Sequence, residues 1–567
     1  MNKSISRRNF LGKALKGGAL AAAGGCGVLL KGCDSKKDYD LVVTGGVLMD
    51  GRGGPAYPAD LGIVGRTIRR IGTIEAKRGR SVIEASGRVV APGFIDLHDH
   101  SDTGLLVNPL AESHVRQGIT TLISGNCGSS PFPVAEAIRD EMQAGLMEEF
   151  GLELDWTDMR GFLSRLEKTG LAVNYATLVG HGTIRGAVMG FNDRNPSPEE
   201  TAAMKRMVED HMRQGAFGIS TGLEYTPGSF ARIEELTELC RVAAASGGVH
   251  ATHMRDEGDR LLESLEEVIE VSRRSGVSLQ ISHFKVAYPA NWNKIDDALA
   301  AIEAAEKEGV ALYCDRYPYT AGATGLSFNF PLWARQGTTD EFLARLRDPS
   351  LEVTITAHLA EREKNLGSWD KVLISSVVSE KNKWVEGLSV LEAASKSGRS
   401  PYVLMRDLII EERNRVGMIL FMMTEENLTR ILAHPLVGVG CDASVRAPYG
   451  PLAQGKPHPR NYGTFPRVLG HYVREKKIVP LEEMIMKMTS RPAGKFGLAG
   501  RGVLESGSIA DIVVFDPDRV ADRATWTDPH VYSVGIDDVI VGGEAVIAGG
   551  EHTGRLPGGV LRKHTDG

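Results

Sequence analysis

The sequence predicts an α/β chain built on a (β/α)8 TIM-type barrel, with a small β-sandwich made from both chain ends and a helical subdomain inserted between strands 7 and 8. Three observations predict it. Eight short apolar runs recur through the middle of the chain, amphipathic helical windows separate several of them, and glycine-split β-rich segments of one texture flank that section on both sides. With 567 residues, 42% of them hydrophobic, the chain has the apolar surface for a large core.

Residues 1–33 stand apart from the fold as a targeting segment. "SISRRNFLG", Ser4 to Gly12, places Arg7 and Arg8 ahead of Phe10 and Leu11, and a small, weakly apolar stretch runs from Gly17 to Leu30. This resembles a twin-arginine export signal and predicts a periplasmic or envelope location. "LLKGC", Leu29 to Cys33, resembles a lipobox, although Lys31 departs from the small or apolar residue usual there. Membrane attachment through a lipidated Cys33 and simple cleavage therefore both stand. The apolar stretch itself is too short and glycine-rich for a permanent span.

Residues 40–92 carry "DLVVTGGVLMDG", "ADLGIVGRTIRRIG" and "SVIEASGRVVAPG", and residues 498–550 repeat the texture with "GSIADIVVFDP" and "VIVGGEAVIAGG". These two regions are expected to pair into the sandwich. Between them, residues 93–497 hold the eight strand candidates "GFIDLH", "ITTLISG", "AVNYATLVGH", "AFGISTG", "GVHATH", "VSLQISH", "VALYCDRYPY" and "LVGVGCD". The fourth lies near Ala216 to Gly222, the fifth ends at His253, the sixth at His283 and the eighth at Asp442. Thr201 to Gln214, Arg260 to Ser275 and Ile295 to Glu308 read as crossover helices. The seventh interval is much longer than one crossover, so residues 331–427 are assigned to an inserted, lid-like helical subdomain.

In such a barrel the chemistry sits where strands finish. His98 and His100 close the first strand, Cys127 the second, His181 the third, His253 the fifth, His283 the sixth and Asp442 the eighth. Any one of these alone reads as a core histidine or a small apolar cysteine. Together they gather imidazole, thiolate and carboxylate on one rim, the donor mixture that zinc prefers. Residues two apart on a strand share a side, so His98 and His100 can face one ion while Asp99 faces away. Asp96 is read as a hydrogen-bond partner of a neighbouring ring or loop. A formal charge of -6 provides no basic field for phosphate backbones, which argues against nucleic acid. Beyond Cys26 and Cys33 of the signal, Cys127, Cys240, Cys314 and Cys441 show no close pairing, and no disulfide framework is expected.

"PGFIDLHDHSD", "GNCG", "THMRDEG", "ISHFK", "GCDAS" and "HPRNYGTFPRVLGHYVRE" resemble the N-acyl-D-amino-acid deacylases (D-aminoacylases) of the amidohydrolase superfamily, over roughly Asp40 to Gly550. The resemblance implies a cysteine from the second strand as bridging or primary ligand, in place of the modified lysine of other relatives; no lysine stands near the fourth strand's end. Cys127, His253 and His283 would then hold a tight zinc, with His98, His100 and Asp442 at a second, weaker position. Glu224 is the rival bridging group. The implied reaction is hydrolysis of an N-acyl-D-amino acid to a carboxylate and a free D-amino acid by zinc-activated water. Asp442 would serve as general base and then general acid. Tyr225 matches an oxyanion donor or packs as a buried tyrosine, and Arg460 binds the substrate carboxylate or forms a surface ion pair. Tyr319 and Lys285 are pocket polar groups, His181 supports the site, and Cys441 belongs to the core. A dipeptidase acting on peptides with a C-terminal D-residue, and a non-catalytic zinc-binding envelope protein, are the alternatives.

Overall fold

Eight short parallel strands organise the computed structural model, which describes residues 37–563; the predicted export signal and Cys33 lie outside them. The strands are β1 (Phe94–Asp96), β2 (Ile119–Ser124), β3 (Asn174–Thr177, continued by Val179–Gly180), β4 (Gly218–Gly222), β5 (Val249–His253), β6 (Ser278–Ile281), β7 (Leu312–Arg316) and β8 (Val437–Val439). β1, β2 and the first part of β3 form one ladder, and the second part of β3 begins another that runs in order to β8. The Leu178 amide, between the two parts of β3, donates to the Ser124 carbonyl at 3.0 Å. At the far side the Asp442 amide donates to the His98 carbonyl (2.7 Å) and the His100 amide to the Ala443 carbonyl (2.8 Å), so the exits of β8 and β1 meet. The array is compatible with the expected barrel. Nearly every strand residue is buried, as parallel strands covered on both faces must be.

The crossover helices follow from local chemistry. Pro198–Arg213 starts at a capping box: the Ser197 hydroxyl accepts from the Glu200 amide while the Glu200 carboxylate accepts from the Ser197 amide, and Pro198 opens the first turn. Leu261–Ser275 and Ile295–Lys307 fall within a residue of their expected bounds.

The chain ends form two sheets around one core. Val89–Pro92 pairs antiparallel with Ile512–Phe515, joining the two halves of the sequence in a seven-stranded sheet. A four-stranded sheet places Tyr39–Thr44 between Asp60–Val64 and Gly79–Glu84. Leu41, Leu61 and Ile68 of the smaller sheet share an apolar cluster with Val90, Ile512 and Ile540 of the larger.

The connection from β7 to β8 is not purely helical. It contains a three-stranded antiparallel sheet of Ala321–Gly325, Gly417–Phe421 and Val372–Ser376, and its own core around Phe330, Phe342, Trp369 and Met405. Five-residue apolar runs such as "VLISS" and "GMILF", set among helical windows, carry too little periodicity to declare themselves as strands. Finally, the segment after residue 556 returns to the entry of β3: the Tyr175 amide donates to the Gly559 carbonyl (2.9 Å), and the Leu561 amide to the Tyr175 carbonyl (2.7 Å).

Candidate metal centre

The strand exits bring six of the expected donors together. Cys127 Sγ lies 3.3 Å from His98 Nε2, 3.7 Å from His283 Nε2 and 3.9 Å from His253 Nδ1. His98 Nε2 and His100 Nε2 are 3.2 Å apart, and Asp442 Oδ1 lies 3.2 Å from the His100 nitrogen and 3.5 Å from that of His98. Two donor groups result, His98–His100–Cys127–Asp442 and Cys127–His253–His283, and within each the ligand atoms lie inside 4.8 Å of one another. Bonds of about 2.0–2.3 Å to a single ion fit that spacing. Cys127 belongs to both groups.

This convergence requires unusual backbone. Cys127 (φ 52°), His283 (φ 37°) and Asp442 (φ 51°) all occupy the left-handed region. For side chains with a Cβ each such residue costs about 1–3 kcal/mol, and the surrounding loops hold them there. Behind Cys127, Gly128 is pressed against β4: a Cβ on it would sit 2.6 Å from the Gly222 nitrogen.

A layer of carboxylates orients the imidazoles. Asp315, at the exit of β7, places Oδ1 3.3 Å from His98 Nδ1 and accepts from the His283 amide at 2.8 Å, while Gln280 donates to its other oxygen. Glu257 Oε1 is 2.9 Å from His283 Nδ1 and is ion-paired with Lys285. Glu224 contacts His253 Nε2 at 2.9 Å, the nitrogen remote from Cys127, and so acts as a hydrogen-bond partner of that ring. Asp96 accepts from the amides of His98 and Cys441, and Asp99 faces away toward His114, Ser101 and Ser124. Burial alone would raise the Cys127 thiol, but His98 and then the other three imidazoles outweigh it and hold the thiol well below its ordinary range. Burial likewise works against the Asp442 carboxylate, and Arg460 leads the groups that hold it well below the usual value.

The remaining expected residues divide. Arg460 is buried, with Nη1 2.7 Å from Asp442 Oδ2 and its guanidinium over the Tyr317 ring. Tyr225 stands with its ring edge to His253 (4.8 Å) and its hydroxyl 3.5 Å from Thr324 Oγ1. A cavity of about 580 Å³ joins these groups to the donor cluster and to Lys285, whose ammonium sits behind His283. Tyr319, expected among its polar groups, does not line it. The chain turns at Pro318, with the Tyr319 amide bonded to the Tyr317 carbonyl, so Tyr319 packs among His458, Trp526 and Arg467 while Tyr317 takes the cavity wall. His181 bonds Glu235 at 2.8 Å and joins neither donor group; Cys441 is buried. The four cysteines among the described residues are free. Asp315 and Glu257 carry no motif of their own in the sequence, although Asp315 stands one residue from the end of a strand and Glu257 follows His253 by four residues.

The amidohydrolase family profile matches residues 81–362 and 450–547. A D-aminoacylase of Alcaligenes xylosoxydans xylosoxydans is 38% identical over 93% of this chain and 98% of its own length. The chain belongs to the D-aminoacylase family of amidohydrolases. Within that family it is 38% identical to an N-acyl-D-glutamate deacylase of the same bacterium, over 93% of this chain and 97% of the other. The N-acyl-D-glutamate deacylase of Bordetella bronchiseptica, solved with zinc and a phosphonate mimic of the tetrahedral intermediate, superposes with a TM-score of 0.78 at 35% identity, covering 92% of this chain and 99% of that one. A D-aminoacylase whose binuclear centre is described by one-metal activation and second-metal attenuation superposes equally well, at 37% identity, over 92% of this chain and 100% of the other. Like these relatives, this family member is a metal-dependent amidohydrolase.

Proposed function

We propose that the chain is a zinc-dependent N-acyl-D-amino-acid deacylase whose eight strands close as a barrel, with the donor cluster on its rim and the β7–β8 insertion as a cover. Cys127, His253 and His283 would hold the tighter ion, and His98, His100 and Asp442, with Cys127 shared, the weaker one. When bound, zinc supplies Lewis acidity, lowering the pKa of water and polarising an amide carbonyl.

The rest of the chemistry belongs to side chains. Arg460, fixed over Tyr317, receives the α-carboxylate as a planar, two-pronged donor. Because its guanidinium also touches Asp442, the amide nitrogen beside that carboxylate comes within reach of the Asp442 carboxylate. Asp442 takes the proton from the attacking water and returns it to the departing amine, without which an amine is a poor leaving group. Tyr225, beside His253, offers its hydroxyl to the developing oxyanion.

One observation carries this reading: two donor groups share Cys127, and Asp442 in one of them contacts a buried arginine. The test is an assay of metal-quantified protein against matched N-acetyl-D- and N-acetyl-L-amino acids and D-terminal dipeptides. Turnover of the D series is expected; turnover confined to the L series, or to the dipeptides, would overturn the assignment. Asp442→Asn should keep at least one zinc per chain and lose about 1,000-fold or more in kcat. The resemblance of residues 1–33 to a twin-arginine signal supports a cell-envelope location for this activity, which fractionation of expressing cells would check.

A further inference from the structure

The space around the donor cluster is divided. The lining of the 580 Å³ cavity includes an apolar set, Met142, Phe191, Tyr288, Phe328, Leu420 and Met422, beside the acidic Glu224 and Glu257. A second cavity of about 640 Å³ meets it at His100, Ala323, Thr324, Asp442 and Arg460, and its more polar wall sets Glu148, Glu149, Arg415 and Arg446 among apolar residues such as Val416 and Met418. Arg460, the carboxylate anchor of the proposed reaction, thus stands between an apolar chamber and a polar one.

The cations of the apolar chamber are already engaged. Lys285 is ion-paired with Glu257, while Arg460 contacts Asp442 and is taken by the α-carboxylate in the proposed reaction, so neither is left for a second acidic group. Arg362 lies over the rings of Tyr288 (4.6 Å) and Phe328 (5.2 Å), and Arg335 over Phe328 (5.7 Å) while donating to the Phe330 carbonyl. Both guanidiniums therefore back the aromatic wall and do not line the cavity. Such rings give apolar contact area at low entropic cost, and a second carboxylate entering against them, beyond the one held by Arg460, would shed its water with no cation to replace it.

We infer that this chamber selects N-acyl-D-amino acids bearing a bulky apolar group and rejects acidic side chains, with Phe328 and Met142 as specificity-determining residues. The inference rests on the deacylase reading for the position of the carboxylate. A large apolar group can come from the D-side chain or from the acyl part, and the chamber's chemistry is the same for both.

The test compares kcat/KM of the zinc-loaded full chain for the N-acetyl derivatives of D-phenylalanine, D-leucine, D-alanine, D-glutamate and D-aspartate, and for N-phenylacetyl-D-alanine. The apolar substrates should exceed the acidic ones by about 100-fold. Preference for N-acetyl-D-phenylalanine places the side chain in the chamber; preference for N-phenylacetyl-D-alanine places the acyl group there. Phe328→Ala should lower kcat/KM for the bulky substrate about tenfold more than for N-acetyl-D-alanine, and Met142→Trp should shift preference toward small groups. Preference for the acidic substrates, abolished in Arg446→Ala, would overturn the inference and move selection to the polar chamber. Should no N-acyl-D-amino acid be turned over, calorimetry on Asp442→Asn separates the two readings. Tighter binding of N-acetyl-D-phenylalanine than of N-acetyl-D-glutamate would uphold the chamber and sink only the deacylase reading; equal or reversed affinities would sink the chamber.

Discussion

Cys127 carries more of the site than any other side chain, because its sulfur is the one atom common to both donor groups. Cys127→Ala should therefore empty both positions together, reducing bound zinc below one per chain and activity by about 100-fold or more, read by elemental analysis beside the assay. Without metal, burial would lower the His100 imidazole, yet Asp442 and the Cys127 thiolate push it up to about 10. Metal must displace such protons, so zinc affinity should rise with pH, with proton release visible by calorimetry in buffers of different ionisation enthalpy. Asp315 touches no candidate substrate space but orients His98 and receives the His283 amide. Asp315→Asn should weaken zinc binding about 10- to 100-fold and leave the fold intact, as far-ultraviolet dichroism would report. The donor cluster is legible in the sequence because imidazoles, a thiol and a carboxylate at strand ends are rare in combination. Asp315 obeyed the same positional rule and was passed over, since a lone aspartate has many uses. Tyr319 differs from its expectation as a pocket polar group because the turn at Pro318 gives the cavity wall to Tyr317 instead.

Elements with strong periodicity were the readable ones. Helices such as Pro198–Arg213 announce themselves by capping residues and a long apolar stripe, whereas β8 is three residues long and is legible only as the short apolar run of "LVGVGCD". The sheet of the insertion was invisible for the same reason, since its strands pair across tens of residues and each is too short for a period. Between these elements sits a buried carboxylate, Glu235 on the helix Ile233–Ala245, which binds His181 on the helix His181–Met189 and also Arg185. Burial opposes its charge, and His181 and Arg185 together hold its pKa below the normal value. The unfolded glutamate, with its ordinary pKa near 4.3, binds protons more readily than the folded one. The stability from this contact is consequently present above that value and is lost as pH falls through the lower folded pKa. Glu235→Gln should cost about 3 kcal/mol at neutral pH, and the deficit in denaturant unfolding should shrink below about pH 4.

At the scale of the molecule, the chain-end sheets and the strand array are fastened by Asp511. Its carboxylate pairs with Arg501, accepts from Asn174 of β3 at 3.0 Å and from the Gly542 amide at 2.6 Å, and its own carbonyl receives the Gly93 amide just before β1. Asp511→Ala would leave Arg501 buried without its partner, and a loss of about 3–5 kcal/mol with unchanged zinc content is expected from paired unfolding and metal measurements. The sequence disclosed that both ends build one unit, since their texture repeats, but the clasp itself joins residues more than three hundred positions apart and has no local sign. The run after residue 556 lies along β3 on the side away from the donor cluster and reaches Gly215 ahead of β4. It comes later in the polypeptide than every strand it touches, so the entry side of β3 and the approach to β4 are covered only after all eight strands have been made. A nascent chain can therefore hold every residue of the donor cluster and still lack this covering run, and substitutions that break the Tyr175 and Gly215 pairings would slow the last step of assembly.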